Sequence, residues 1–164
     1  MSESPPRQPL RILVVDDHIL FRRGICQVMA DISDMEVVAE AADGEQAVRE
    51  VERLRPHGLD LVLMDVEMPK LDGMAATRRI AAVDPDLPVV MLTVSGLDQD
   101  VLAAIQAGAV GFLSKSLSAP ALIRTLRDFH RERALPMSRT MATRVLTQLR
   151  SPAAESARGA STTQ

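Results

Sequence analysis

The sequence predicts an α/β domain, a five-stranded parallel sheet in the order 2-1-3-4-5 with helices on both faces. Three observations lead there. Short apolar runs alternate with amphipathic stretches, the pattern of βα units. The runs are mostly continuous rather than alternating, as in strands covered on both sides. Each run is joined to the next by a single helical stretch, and right-handed crossovers make a doubly wound sheet the economical solution. With 164 residues and 46% apolar content, the chain can build one such domain with tails.

The predicted strands are Leu10 to Val15, Met35 to Ala41, Leu59 to Asp65, Leu87 to Thr93 and Val110 to Ser114. Between them apolar residues recur at helical spacing. Leu20, Phe21, Gly24, Ile25, Val28, Met29 and Ile32 mark the first helix, and Ala47, Val48, Val51 and Leu54 the second. The third runs from about Asp72 to Val83, with Met74, Thr77 and Ile80 facing inward. The fourth, Asp98 to Ala107, is the weakest in apolar content and stops at Gly108. The fifth, Ser118 to about Arg133, is anchored by Leu122, Leu126 and Phe129, with Ser118 as N-cap. A sixth helix, Ser138 to Leu149, carries a stripe of Met141, Val145 and Leu149. Residues 151–164 contain no Val, Ile, Leu, Met or Phe, so they cannot offset their ordering entropy and read as a flexible linker or tail.

Composition narrows the function. A net charge of -3 argues against DNA binding by bulk electrostatics, and the absence of Trp and Tyr removes stacking surfaces for single strands. A single cysteine, Cys26, excludes an intramolecular disulfide framework and fits a reducing compartment. The start has no apolar signal region and no long apolar run follows, so a cytoplasmic protein without membrane contact is expected.

The informative residues end strands. Asp16 and Asp17 follow the first strand and Asp65 closes the third, which is its neighbour in the expected order. Two carboxylates about 4 Å apart repel by about 4 kcal/mol at an effective dielectric of about 20, so a proton is retained or a hard divalent ion, Mg²⁺, sits among them. Thr93 ends the fourth strand and Lys115 follows the fifth on the same edge. Taken singly, each has a plainer reading: a solvated loop, a helix cap, an ordinary strand threonine, a surface lysine. Together they suit an Asp65 carboxylate attacking phosphorus, with Lys115 and Thr93 receiving phosphoryl oxygens.

At these residues the chain resembles the receiver domain of bacterial two-component response regulators of the NarL/FixJ type, a flavodoxin-like (βα)5 fold. The resemblance is carried by residues 12–18 (Ile-Leu-Val-Val-Asp-Asp-His), 63–69 (Leu-Met-Asp-Val-Glu-Met-Pro), Asp72-Gly73, Met91-Leu92-Thr93, and 107–115 through Gly111-Phe112-Leu113-Ser114-Lys115. It covers roughly residues 10–132, leaving 1–9 as a disordered N-terminus and 133–150 as a linker helix.

The resemblance implies that Asp65 accepts phosphoryl from a sensor histidine kinase, by self-catalysed transfer and dephosphorylation rather than as a turnover enzyme. It implies that Mg²⁺ is held by Asp17, Asp65 and the backbone carbonyl of Glu67, with Asp16 reaching it through water. Thr93 would be the switch hydroxyl, Phe112 the aromatic that turns inward, and Lys115 the bridge between phosphoryl and carboxylate. Phe112 stands where Tyr is frequent, and Ser116 stands where Pro is common. Val94 occupies a place where Ala or Gly is common, and its bulk would slow access to the acceptor; Glu67 and Ser95 hold positions that tune dephosphorylation.

Regulators of this type continue into a helix-turn-helix domain, and no such pattern is present here. DNA contact is therefore expected only through a C-terminal domain missing from this sequence, with a stand-alone receiver as the alternative. Arg124, Arg127, Arg131 and Arg133 are expected to form a solvated face or to meet Asp31 and Asp34 of a partner subunit in a phosphorylation-promoted homodimer. Two other classes are weaker. A Mg²⁺-dependent aspartyl-phosphate hydrolase would place nucleophile and acid/base two residues apart after the first strand, and a flavin domain would not put two acids against the FMN phosphate.

Overall fold

The computed structural model describes residues 8–94, 98–132, 136–137 and 139–150. Expectations at Ser95, Arg133 and Ser138, on the Met141 side chain and on both tails lie outside these residues. The elements are β1 (Leu10–Val15), α1 (Ile19–Ala30), β2 (Met35–Ala41), α2 (Gly44–Leu54), β3 (Leu61–Asp65), α3 (Gly73–Val83), β4 (Val89–Thr93), α4 (Asp98–Ala107), β5 (Gly111–Ser114), α5 (Ala119–Glu132) and α6 (Arg139–Leu149), with a 3₁₀ turn at Arg55–His57. All strand pairs are parallel and the order is β2-β1-β3-β4-β5.

The continuous apolar runs divide between two cores by the period-2 alternation of a strand. Leu13, Val15, Val62, Met64, Val89, Met91 and Phe112 face α2, α3 and α4, where Ala47, Val51, Ala76, Ile80, Val101 and Ala104 meet them. Ile12, Val14, Leu61, Leu63, Val90, Leu92 and Leu113 face α1 and α5, against Ile25, Met29, Leu122, Leu126 and Phe129.

Three strands begin later than the apolar runs, each for a local reason. Pro88 has no N–H to give a ladder, so β4 starts at Val89, although the Pro88 carbonyl still accepts from Val62 N at 3.0 Å. Gly58, at φ 93°, turns the chain before β3, and Asp60 pairs with Arg11 through its side chain as well as its N–H. Val110 bonds to Val89 O just ahead of β5.

Caps set the helix starts. Asp43 and Asp72 accept from Gln46 N and Ala75 N at 2.8 Å each, and Ser118 accepts from Ala121 N at 3.3 Å. Leu20 is not on the inner face of α1 as its spacing suggests: it is 89% exposed, because α1 starts beyond the sheet edge. After α5 the chain returns along the free edge of β5, where the Pro136 carbonyl accepts from Phe112 N at 3.0 Å. A Cβ on Gly111 would lie 2.6 Å from both Pro136 Cγ and its oxygen, so only glycine admits this crossing. α6 then packs on α4, with Val145 against the α2–α3–α4 core and Leu146 and Leu149 left exposed.

Candidate functional site

Strand register brings the acids together. Val15 pairs with Met64, so the next residues, Asp16 and Asp65, lie side by side beyond the carboxyl edge. Asp65 pairs with Leu92 and Thr93 with Ser114, which places Thr93 and Lys115 on the same rim. The edge beside the β1/β3 switch point is where open α/β sheets bind ligands.

Asp16 is wholly buried and Asp65 is 3% exposed. Lys115 Nζ stands between them, 2.6 Å from Asp16 Oδ2 and 3.2 Å from Asp65 Oδ1, and 4.8 Å above the Phe21 ring. Asp16 Oδ1 accepts from His18 N at 2.8 Å, and Arg22 donates to the Asp16 carbonyl. Asp17 is partly exposed at the rim. Thus three carboxylates face one ammonium, leaving two formal negative charges that a divalent cation would match. Burial, then the neighbouring Asp16 charge, pushes the Asp65 carboxyl up to about 6, against the opposing pull of Lys115.

The donor set passes a test of fit for a cation. Asp17 Oδ1 and Asp65 Oδ2 are buried and accept no hydrogen bond from the described residues. One donor atom from each of Asp16, Asp17, His18 and Asp65 lies within 4.8 Å of the others. Oxygen-rich sets of this kind suit Mg²⁺.

This edge opens into a pocket of about 360 Å³ lined by His18, Asp65, Val66, Glu67, Thr93, Val94 and Lys115. Glu67 N approaches Asp65 Oδ1 at 3.4 Å, and Val94 is 77% exposed at the mouth. Thr93 is 7% exposed, and alternation sends its side chain toward the α4 face, where Phe112 is already buried at 2%. The expected residues Asp16, Asp17, Asp65, Glu67, Thr93, Val94 and Lys115 therefore meet at one edge; Phe112 lies one layer below, and Ser95 is outside the described residues.

Two residues at this edge escaped a site reading of the sequence. His18 was visible only as the residue after the acid pair. Gly73 starts α3 directly against Asp65: a Cβ there would collide with the Asp65 carbonyl and come within 3.0 Å of Val66 Cα.

A doubly wound α/β domain with an acidic cluster fit for a cation at the β1/β3 edge is the class that this fold and geometry define. Residues 12–127 match the response regulator receiver domain, and the chain belongs to that family. Its relatives are of the NarL/FixJ type. It is 40% identical over 118 residues to the response regulator GacA of Pseudomonas viridiflava, covering 72% of this chain and 54% of that protein. It is 38% identical over 127 residues to the transcriptional regulatory protein DegU of Brevibacillus brevis, covering 77% and 52%. The chain thus spans about half the length of these relatives. Among solved structures, the CheX–CheY–BeF3–Mg²⁺ complex from Borrelia burgdorferi superposes with a TM-score of 0.69 at 28% identity, over 75% of this chain and 90% of that one. The acidic cluster of Asp16, Asp17 and Asp65 agrees with the Mg²⁺ site of receivers. Receivers of this family work with histidine kinases. No helix among the described residues is long and apolar enough to cross a membrane.

Proposed function

We propose that Asp65 is the phosphoacceptor of a two-component response regulator, taking phosphoryl from a phosphohistidine of a sensor histidine kinase. The observation that carries this reading is a buried carboxylate with one oxygen held by Lys115 and the other accepting no hydrogen bond from the described residues, at the inner end of an open pocket. Asp16, Asp17, Asp65 and the Glu67 carbonyl would hold Mg²⁺, which when bound neutralises charge on the incoming phosphoryl oxygens.

The chain's own residues supply the rest. An Asp65 oxygen forms the new P–O bond as the P–N bond to the kinase histidine breaks, and the electron pair leaves with the imidazole. Lys115, already within ion-pair distance of Asp65, shifts from carboxylate to phosphoryl oxygen, and the Thr93 hydroxyl donates to another. Movement of Thr93 then changes the space around Phe112 in the α4-side core, a shift between two packings biased by the phosphoryl group. Val94 at the pocket mouth, with Glu67 and Ser95, would set how readily water reaches the acyl phosphate.

The same reading extends to output: a phosphorylation-promoted homodimer that controls transcription through a C-terminal DNA-binding domain, as the name of the relative DegU, a transcriptional regulatory protein, suggests. The test of the core reading is labelling by acetyl phosphate or a phosphorylated kinase with and without Mg²⁺. Wild type should label only with Mg²⁺, Asp65→Asn should keep the fold and not label, and Asp17→Asn should lose metal affinity first. Full-rate labelling of Asp65→Asn overturns the assignment.

A further inference from the structure

We propose that His18 is a nitrogen ligand at the acid cluster and that it tilts the site toward borderline transition ions such as Co²⁺, Ni²⁺ or Zn²⁺ in competition with Mg²⁺. This rests on reading the cluster as a cation site.

The backbone sets the imidazole beside the acids. β1 ends at Val15, Asp16 Oδ1 takes the His18 N–H at 2.8 Å, and His18 is the N-cap of α1 with φ -82° and ψ 102°. The ring lies back over the acids: Nδ1 is 3.0 Å from Asp16 Oδ1, 3.3 Å from Asp17 Oδ1 and 3.9 Å from Asp65 Oδ2. Around an ion with metal–ligand bonds of about 2.0–2.1 Å, neighbouring donors are separated by about 3 Å and opposite ones by about 4 Å. The three separations from Nδ1 fall in that range, while the four donor atoms together span up to 4.8 Å, so the set must draw in for one ion to touch all of them.

An acidic cluster alone would not argue for nitrogen ligation. The second observation is the Asp65 side chain, 5% exposed, whose Oδ2 accepts no hydrogen bond from the described residues and lies on the side of the imidazole. Chemistry then separates the ions. Mg²⁺ prefers oxygen and keeps its waters, whereas imidazole raises affinity for the later divalent metals. Because the His18 side chain is 66% exposed, it can swing to water when Mg²⁺ is bound and close on the cluster when a transition ion arrives.

The experiment is calorimetric titration of the full chain with Mg²⁺ and with Co²⁺, read alongside the visible absorption of bound Co²⁺. Wild type, His18→Gln and Asp17→Asn are compared, the last to separate this site from His57, His130 and Cys26. His18→Gln should weaken Co²⁺ by about tenfold or more and alter its spectrum, while Mg²⁺ affinity stays within about twofold. Unchanged Co²⁺ binding overturns the proposal, and so does an equal loss of both ions, which would mark His18 as a purely structural cap. If wild type binds no Mg²⁺ at all, the cation reading falls and takes this one with it; if Mg²⁺ binds and only the Co²⁺ difference is missing, the cation reading survives.

Discussion

Asp65 is held in the metal-free protein at a cost. Its carboxyl titrates near 6 in the fold and near 3.8 when exposed. The folded state therefore binds the extra proton, and this contribution to stability is full below the unfolded value and is lost as pH rises through about 6. By linkage the loss amounts to about 3 kcal/mol at most. Asp65→Asn should consequently be more stable than wild type above pH 7 without metal, by about 1–3 kcal/mol, with the gap closing toward pH 4. Urea melts of both proteins across this range check it, and Mg²⁺ should narrow the difference at high pH by stabilising wild type alone. The acids, Thr93 and Lys115 were legible as residues because each terminates an apolar run. That Lys115 would reach a carboxylate was expected from the resemblance; that it touches Asp16 and Asp65 at once depends on a register that no single segment states. The expected partner for the α5 arginines also differs, since Arg127 grips Asp34 of its own chain with both nitrogens at 2.7 and 2.9 Å, holding that carboxyl below its ordinary range.

Elements follow from apolar periodicity where both faces of a strand are buried, which is why β1 begins and ends where its run does; β2, an edge strand with Glu36 and Glu40 exposed, keeps its run's limits through buried Met35 and Ala41 at its ends. Boundaries shifted where a main-chain donor was missing or a turn intervened, as at Pro88 and Gly58. Close approach is the other thing that periodicity cannot show. Gly24 and Gly73 look alike in the sequence, yet Gly24 has open space around it and Gly73 presses on the Asp65 carbonyl. Gly24→Ala should raise stability by about 0.5–1 kcal/mol through helix propensity. Gly73→Ala should lower it by about 1–3 kcal/mol through overpacking and, by displacing the Asp65 backbone, slow labelling. Denaturant melts with acetyl phosphate labelling rates distinguish the pair; equal behaviour of the two variants would remove the positional role of Gly73.

At the scale of the molecule, the sheet separates two tasks: chemistry at its carboxyl edge and a two-sided core below, with Phe112 between them. Beryllofluoride with Mg²⁺ should shift the sedimenting mass from monomer to dimer if the proposed output holds, and an unchanged mass sinks that part. The tail beyond α5 was legible as a helix but not as a neighbour of the sheet, because nothing in residues 136–149 announces that Pro136 will lie on Gly111. That crossing has a practical consequence for solubility. Pro136 accepts one bond from β5 and, lacking an N–H, offers none in return, so it closes the strand's outer side without extending the ladder. A chain ended at residue 132 would bare this edge and the apolar patch under Val145 together, and light scattering should find it aggregating at concentrations where the longer chain stays dispersed.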